Sequence, residues 1–135
     1  MSRSIGRVSD NSVTIAAWRA AVRDESGRAF AELVHEDVVL EGSVFEQPIT
    51  GRDAVRNAIR QSSRLYDRLE FTHHTQSADR TYFEWEGAAF GQPLWGVTAI
   101  SISVDGRITR VVLSHRPLVI ANKFSAALAK HLVQR

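Results

Sequence analysis

The sequence predicts an α+β fold, with helices in the N-terminal half and a sheet in the C-terminal half. The clearest pattern is three consecutive β-rich runs, Tyr82–Ala89, Leu94–Val104 and Ile108–Arg116. Asp105-Gly106 lies between the last two runs, and this dipeptide is typical of a tight hairpin in which both turn residues take positive φ. We therefore expect an antiparallel meander with one face covered by the preceding helices.

Apolar residues at helical spacing predict three helices before the meander. The first spans about Ser12–Arg23, and a second, short helix carries Phe30 on its apolar face. The third begins at Thr50, which we expect to act as its N-cap, because the acidic Asp53 follows three positions later. This third helix should end near Leu65.

Two short strands and a last helix complete the order α-α-β-α-β-β-β-β-α. The strands are Val38–Leu40 and Leu69–Thr75, and the helix follows Pro117. We expect a single domain over residues 1–135, in which residues 1–11 lack apolar periodicity and form a flexible tail. The last helix is predicted from an apolar stripe that consists of Ala121, Phe124, Leu128 and Leu132.

The composition narrows the class of protein. The 135-residue chain is 44% apolar and 24% charged, which is ordinary for a globular domain, and it has no cysteine for disulfides or thiolate metal sites. Residues 1–12 lack the apolar segment of a secretory signal, and no run approaches the roughly 20 apolar residues that span a bilayer. A formal charge of +2 is too small to indicate nucleic-acid binding. We therefore expect a cytoplasmic protein without membrane or nucleic-acid partners.

Five short segments, in their order and spacing, resemble a known family: Trp18–Ala21, Glu36–Leu40, Thr50–Val55, Asp105–Ile108 and Arg116–Leu118. It is the nuclear transport factor 2-like superfamily, in particular its bacterial SnoaL-like and ketosteroid isomerase-like branch. The resemblance covers nearly the whole chain. It implies a cone made by a strongly curved antiparallel sheet packed on N-terminal helices, with one apolar pocket and a C-terminal helix. It also implies a homodimer, because members commonly pair through the outer sheet face.

Members of this family include ketosteroid isomerases, epoxide hydrolases, polyketide cyclases, dehydratases and proteins that only bind, so the fold does not fix an activity. The isomerases use a carboxylate base and two acidic donors that stabilise an oxyanion. The resemblance places these three groups at Gly42, Trp18 and Ile100. Glycine cannot accept a proton, isoleucine cannot donate a hydrogen bond, and tryptophan keeps only an indole N–H. We therefore expect no steroid isomerisation by that mechanism.

The same register turns alternate meander residues toward the interior. Together with the first helix they would line an aromatic and aliphatic cavity, which suits a flat apolar ligand held by one or two hydrogen bonds. The alternative is that these side chains simply fill the core. The candidate ligand-binding residues are Trp18, Phe83, Trp85, Thr98, Ile100, Leu113 and His115.

His115 is the best candidate for a catalytic residue. It occupies an inward position, and an unperturbed histidine pKa near 6.5 suits a general base. In a catalytic reading it would transfer a proton or activate a water while the Trp18 indole N–H orients a ligand oxygen. The other reading is a histidine at the rim that is bonded to backbone or solvent.

Three other polar patterns favour structural readings. His73 and His74 are neighbours on a strand, so one of them faces inward and they cannot converge on a metal. Glu84 and Glu86 share the outer sheet face with Tyr82, where basic side chains or a partner subunit would meet them. Four arginines recur along the third helix and read as a solvated basic face, offset by Asp53, Asp67 and Glu70, with an anion or nucleic-acid site as the alternative: Arg52, Arg56, Arg60 and Arg64.

The favoured function is therefore that of a SnoaL-like protein that holds a small apolar molecule in its cavity, without a cofactor or a metal. Whether it also acts as a lyase, hydrolase or isomerase stays open at this point. The alternative is a non-catalytic dimerisation or interaction module with a filled cavity.

Overall fold

The computed structural model of the chain describes residues 13–133, so the predicted flexible tail at residues 1–11 lies outside the described part. No helix within residues 13–133 is long and apolar enough to cross a membrane. The elements in chain order are α1 (Ile15–Arg23), α2 (Arg28–Leu33), β1 (Val34–Gly42), β2 (Ile49–Thr50), α3 (Arg52–Ser63), β3 (Arg68–Ser77), β4 (Arg80–Ala89), β5 (Gln92–Ile102), β6 (Ile108–Arg116) and α4 (Leu118–Val133).

The strands form one curved, open sheet in the order β2-β1-β6-β5-β4-β3. Each pair from β3 to β6 is antiparallel, so the predicted meander is confirmed. β1 joins it by a parallel pairing with β6, with Gly42 opposite Leu113. The α+β cone with a C-terminal helix, as predicted from the sequence, is the observed fold.

The inner face of the sheet is the predicted one. Period-2 alternation makes it recognisable in the sequence, because alternate residues of one strand point to the same side. Tyr82, Glu84 and Glu86 alternate with the buried residues of β4 and face outward, as predicted. The buried inner-face residues of the meander include Phe83, Trp85, Thr98, Ile100, Ile102, Val111, Leu113 and His115.

The hairpin between β5 and β6 differs from the prediction of a tight turn in which both Asp105 and Gly106 take positive φ. Gly106 has a φ of 86°, but Asp105 does not take positive φ. The N–H of Gly106 donates to the carbonyl of Ser103, and the N–H of Ser103 donates to the carbonyl of Arg107, both at 2.9 Å. This is the geometry of a longer loop with one left-handed glycine. The Asp105 carboxylate stabilises the loop by accepting hydrogen bonds from the Ser103 hydroxyl and the Arg107 N–H.

The start of α3 corrects a second expectation. Thr50 is not the N-cap, because it lies in β2 opposite Val39 and is held in an extended conformation by that pairing. Gly51 is the N-cap and makes no side-chain hydrogen bond; its backbone N–H donates to Val38 at 2.9 Å. β1 also begins earlier than predicted, at Val34, because its polar residues 35–37 fall where the register with β6 is irregular.

Candidate functional site

A cavity of about 430 Å³ lies between the inner sheet face, α1 and the C-terminal end of α3. This volume falls within the range of about 300–1,000 Å³ that is common for small-molecule sites. Its buried wall contains Trp18 from α1, Trp85 from β4, Thr98 from β5 and Leu113 from β6. The two indoles therefore line one cavity, although they are far apart in the sequence.

Four of the seven candidate ligand-binding residues line this cavity, and three do not. Phe83 and Ile100 face inward as predicted, but both are completely buried in the core beneath α1–α3. The ring of Phe83 packs against Phe71 and His74, at centroid distances of 5.7 and 5.5 Å. His115 is buried behind Tyr66 rather than at the wall. The strand register predicts the face of the sheet, but not the depth to which helices fill it.

Trp85 owes its position to a missing side chain on the neighbouring strand. It lies opposite Gly96, where a Cβ would come within 2.2 Å of the indole ring. The indole Nε1–H donates to Thr98 Oγ1 at 3.0 Å, so this donor is already satisfied. Within residues 13–133 the Trp18 indole N–H takes part in no side-chain hydrogen bond, and it is not one of the buried unpaired atoms, so it stays accessible. Of the two indole donors, the one on Trp18 is therefore free for a ligand.

Tyr66, which the sequence analysis did not single out, brings a polar group to the cavity wall. Its hydroxyl lies 2.7 Å from His115 Nε2, and the two rings are nearly parallel, with an interplanar angle of 3°. Asp67 holds the connection that carries Tyr66: its N–H donates to Ala88 at 2.7 Å, and its carboxylate accepts from the Gly91 N–H at 2.9 Å. The backbone therefore fixes the tyrosine beside the histidine.

His115 is held equally firmly from the other side. Its backbone N–H donates to Ser43 Oγ at 2.8 Å, and its ring packs against Trp85 and Phe124 at centroid distances of 5.0 and 4.8 Å. Its Nδ1 is buried and has no hydrogen-bond partner in the described part of the chain. The imidazole is therefore connected to the cavity wall through the hydrogen bond between its Nε2 and the Tyr66 hydroxyl.

Burial sets the protonation of this pair. It lowers the pKa of His115 from 6.5 to about 4, so the imidazole is neutral near pH 7. Burial also raises the pKa of Tyr66 well above its usual value, an effect that a hydrogen bond with Ser62 opposes. If the Nε2–H tautomer donates to the tyrosine oxygen, the phenolic proton is free to point into the cavity. The pair can then present a hydrogen-bond donor to a ligand.

The pH dependence of stability should report the buried imidazole. The unfolded histidine titrates near 6.5 and the folded one near 4, so the unfolded chain binds more protons in this window. The free energy of unfolding should fall as the pH drops from 6.5 to 4, with a contribution from this residue of up to about 3 kcal/mol. In chemical denaturation, the gap between wild type and His115→Gln should shrink by that amount between neutral pH and pH 4. An equal gap at both pH values would contradict the buried, neutral imidazole.

The arginine series is the predicted solvated face only in part, because Arg64 is exposed whereas Arg56 and Arg60 are half-buried and bonded to the protein. Arg56 donates to the carbonyls of Asp24 and Glu25 at 3.0 and 2.9 Å, and Arg60 donates to the Glu25 carboxylate at 3.2 Å. These two side chains therefore tie α3 to the α1–α2 loop. The acids expected to offset the series, at positions 53, 67 and 70, form no ion pair with it in the described residues.

Five arginines line the cavity and are half-buried or exposed, so they lie at its open side. Two come from α1, one from α3, one from the turn after α3 and one from the start of β3. The sequence analysis missed this convergence because it considered α3 alone, although the two on α1 are four residues apart and share a helix face. We call the five residues the arginine rim: Arg19, Arg23, Arg60, Arg64 and Arg68.

The two neighbouring histidines of β3 lie outside this cavity. His73 Nδ1 is 3.1 Å from the Glu84 carboxylate on the outer sheet face, whereas the ring of His74 lies against Phe83 on the inner face. His74 is therefore the inward-facing member of the pair. Within residues 13–133 no group of three or more histidine and carboxylate side chains is placed to hold a metal ion.

Comparison with known proteins places the chain in a family. The model of the SnoaL-like domain matches residues 15–111. No curated protein matches the chain. A steroid delta-isomerase from Pseudomonas aeruginosa superimposes with a TM-score of 0.77 at 18% identity, covering 92% of each chain. An uncharacterized bacterial protein with a cystatin-like fold, from Silicibacter pomeroyi, gives 0.80 at 18% identity, covering 89% of this chain and 85% of that one.

A third similar structure shows that this fold forms without any inherited activity. It is a de novo designed protein of the nuclear transport factor 2 fold, with a TM-score of 0.61 and 16% identity, covering 100% of this chain and 98% of that one. At these identities the structures establish a shared fold and no shared chemistry. Because the family model spans more than half of its residues, the chain belongs to the SnoaL-like domain family.

Proposed function

We propose that the protein binds a small molecule with a flat apolar body in the cavity between Trp18 and Trp85. The observation that carries the proposal is an open cavity of about 430 Å³ whose buried wall contains two indoles, only one of which donates a hydrogen bond within the described residues. Flat rings pack well against indoles, and a single unpaired donor in an apolar wall orients a ligand oxygen. The Trp18 N–H is the group we assign to that role.

If a bound ligand is also turned over, Tyr66 and His115 would act as hydrogen-bonding groups, because burial moves the pKa values of both away from neutrality. Tyr66 lines the wall, and its buried hydroxyl lies 2.7 Å from His115 Nε2. His115 lies behind the tyrosine, so we assign it the role of a positioning residue that holds Tyr66 through this hydrogen bond. This modifies the expectation from the sequence, in which the histidine itself contacts the ligand. Isomerases and cyclases occur in the same family.

A non-catalytic module with a filled cavity is the competing function. The two readings differ in whether a neutral aromatic probe enters the cavity. The described residues leave a cavity of about 430 Å³ beside the inner sheet face, and Val22 is one of the side chains that line it. We therefore favour binding over filling.

The test is a titration with 2-naphthamide, a neutral bicyclic probe, followed by tryptophan fluorescence. Two tryptophans line the cavity, so saturable quenching is expected for the wild type. Val22→Phe narrows the cavity and should weaken binding about tenfold or more, because a ring is inserted where the probe must pack. Val119→Phe is the matched control, since Val119 is exposed on α4 and absent from the cavity wall. Failure to quench in the wild type, or equal affinity in both variants, would contradict the proposal.

A further inference from the structure

We propose that the molecule bound in this cavity carries an anionic group, which the arginine rim holds while the apolar body lies between the two indoles. This inference rests on the proposed function and adds the charge of the ligand to it. It departs from the purely apolar ligand that the inward-facing strand residues suggest.

The charge on the cavity wall is strongly one-sided. Five arginines line it against a single lining acid, Glu25, among the described residues. That acid is already engaged, because Arg60 donates to its carboxylate at 3.2 Å. The other four rim arginines have no carboxylate within 4.0 Å in the described part of the chain. The open side of the cavity therefore carries several unneutralised positive charges.

Two acids that are close to the rim in the sequence do not pair with it. Asp67 is next to Arg68 in the sequence, but its carboxylate accepts the Gly91 N–H at the far end of the β4–β5 turn. Glu70 lies on the same sheet face as Arg68, opposite Glu86, but it does not line the cavity and forms no ion pair with Arg68 in the described residues. The sequence therefore contains acids that could have neutralised the rim, and the fold does not pair them with it.

The helix dipole accounts for the positions of two rim arginines but not for those of Arg64 and Arg68. A cation in the last turn of a helix is favoured by the helix dipole, which suits Arg23 at the end of α1 and Arg60 at the end of α3. Arg68 lies on a strand, where no such dipole acts, and Arg64 lies beyond the last turn of α3. Arg60 also keeps a buried Nη1 without a partner among the described residues. A bound anion would satisfy donors that the protein leaves free.

The arrangement of apolar and charged residues along the cavity wall indicates the chemical class of the ligand. The buried part is apolar and aromatic, and the cations lie toward solvent. This arrangement suits an aromatic or polycyclic acid that enters with its ring system first. The planar fork of an arginine matches a carboxylate and a phosphate equally well, so both share the required chemistry. The outer position keeps the charged head near water, which avoids the cost of burying it.

The experiment compares three naphthalene probes that differ in the head group: 2-naphthoate, 2-naphthyl phosphate and the neutral 2-naphthamide. At low salt at least one anion should bind about tenfold or more tightly than the amide, and the advantage should shrink as the ionic strength rises. The anion with the larger advantage identifies a carboxylate or a phosphate as the head group. Both results support the inference.

The variants locate the effect. Arg64→Gln and Arg68→Gln should each weaken anion binding by about three- to tenfold and leave the amide affinity unchanged. Arg107→Gln is the matched control, because Arg107 is exposed on the β5–β6 hairpin and does not line the cavity. This substitution removes the same charge at a distance from the proposed site. Amide and anions of equal affinity would overturn the inference and leave the proposed function standing. Binding of no probe would overturn both, and an equal loss in Arg107→Gln would assign the effect to net charge and overturn the inference.

Discussion

Gly42→Ala should reduce the free energy of unfolding by at least ~4 kcal/mol, at the upper end for single substitutions. A Cβ at this position would lie 2.0 Å from the carbonyl oxygen of Leu113 and 2.9 Å from its carbonyl carbon. These atoms belong to the backbone of β6, so no side chain can rotate away to make room. The chain can relieve the collision only by breaking the β1–β6 pairing. Urea denaturation measures the loss.

The matched control is Gly106→Ala. Gly106 also has a positive φ, of 86°, but a Cβ there meets nothing within 4 Å. This variant therefore reports backbone strain alone, which costs about 1–2 kcal/mol. If both alanine variants lost the same stability, the close approach of β1 to β6 would be refuted. The contact also explains why this chain cannot place a catalytic base at position 42, because a side chain there has no space.

Phe124→Ala should cost about 3–5 kcal/mol. Phe124 is completely buried near the middle of α4, and the centroid of its ring lies 5.0 Å from that of Tyr66 and 4.8 Å from that of His115. Removing it opens a void beside this pair, so both the folding free energy and the alignment of the two rings should suffer. Thermal and urea unfolding measure the first effect.

Phe90→Ala provides the comparison for Phe124. The ring of Phe90 also contacts Phe124, at 6.4 Å, but 41% of Phe90 is exposed. The same chemical deletion should cost about 1–2 kcal/mol there, because less apolar area leaves water on folding. Equal losses in the two variants would mean that Phe124 does not anchor the cluster.

The sheet was readable from the sequence because alternation is a local signal. Trp85 lies between two glutamates, and His115 lies between a serine and an arginine, so their common face follows from the period of a strand. The stripe of α4 followed from helical spacing for the same reason: Phe124 and Leu128 are buried. The predicted start of α3 was wrong because the pairing of Thr50 with Val39 holds it extended, and the predicted turn was wrong because hydrogen bonds within residues 103–107 set a longer loop.

The cavity depended on contacts that no local pattern encodes. Tyr66 stands in a short connection and is placed by hydrogen bonds from Asp67 to Gly91 and Ala88, more than twenty residues away. The arginine rim assembles from two helices, a turn and a strand. Phe83 lies on the predicted face, but α1–α3 cover it. The part of a sheet that helices cover is set by tertiary packing. The sequence therefore could not separate residues of the core from residues of the cavity wall.

A crystal structure of the protein soaked with 2-naphthoate tests most directly whether the cavity is a ligand site. We expect the ring system between Trp18 and Trp85, with the carboxylate within hydrogen-bond distance of Arg64 or Arg68. Protein side chains that fill the space between the two indoles, or a probe bound only at some other surface, would contradict the assignment.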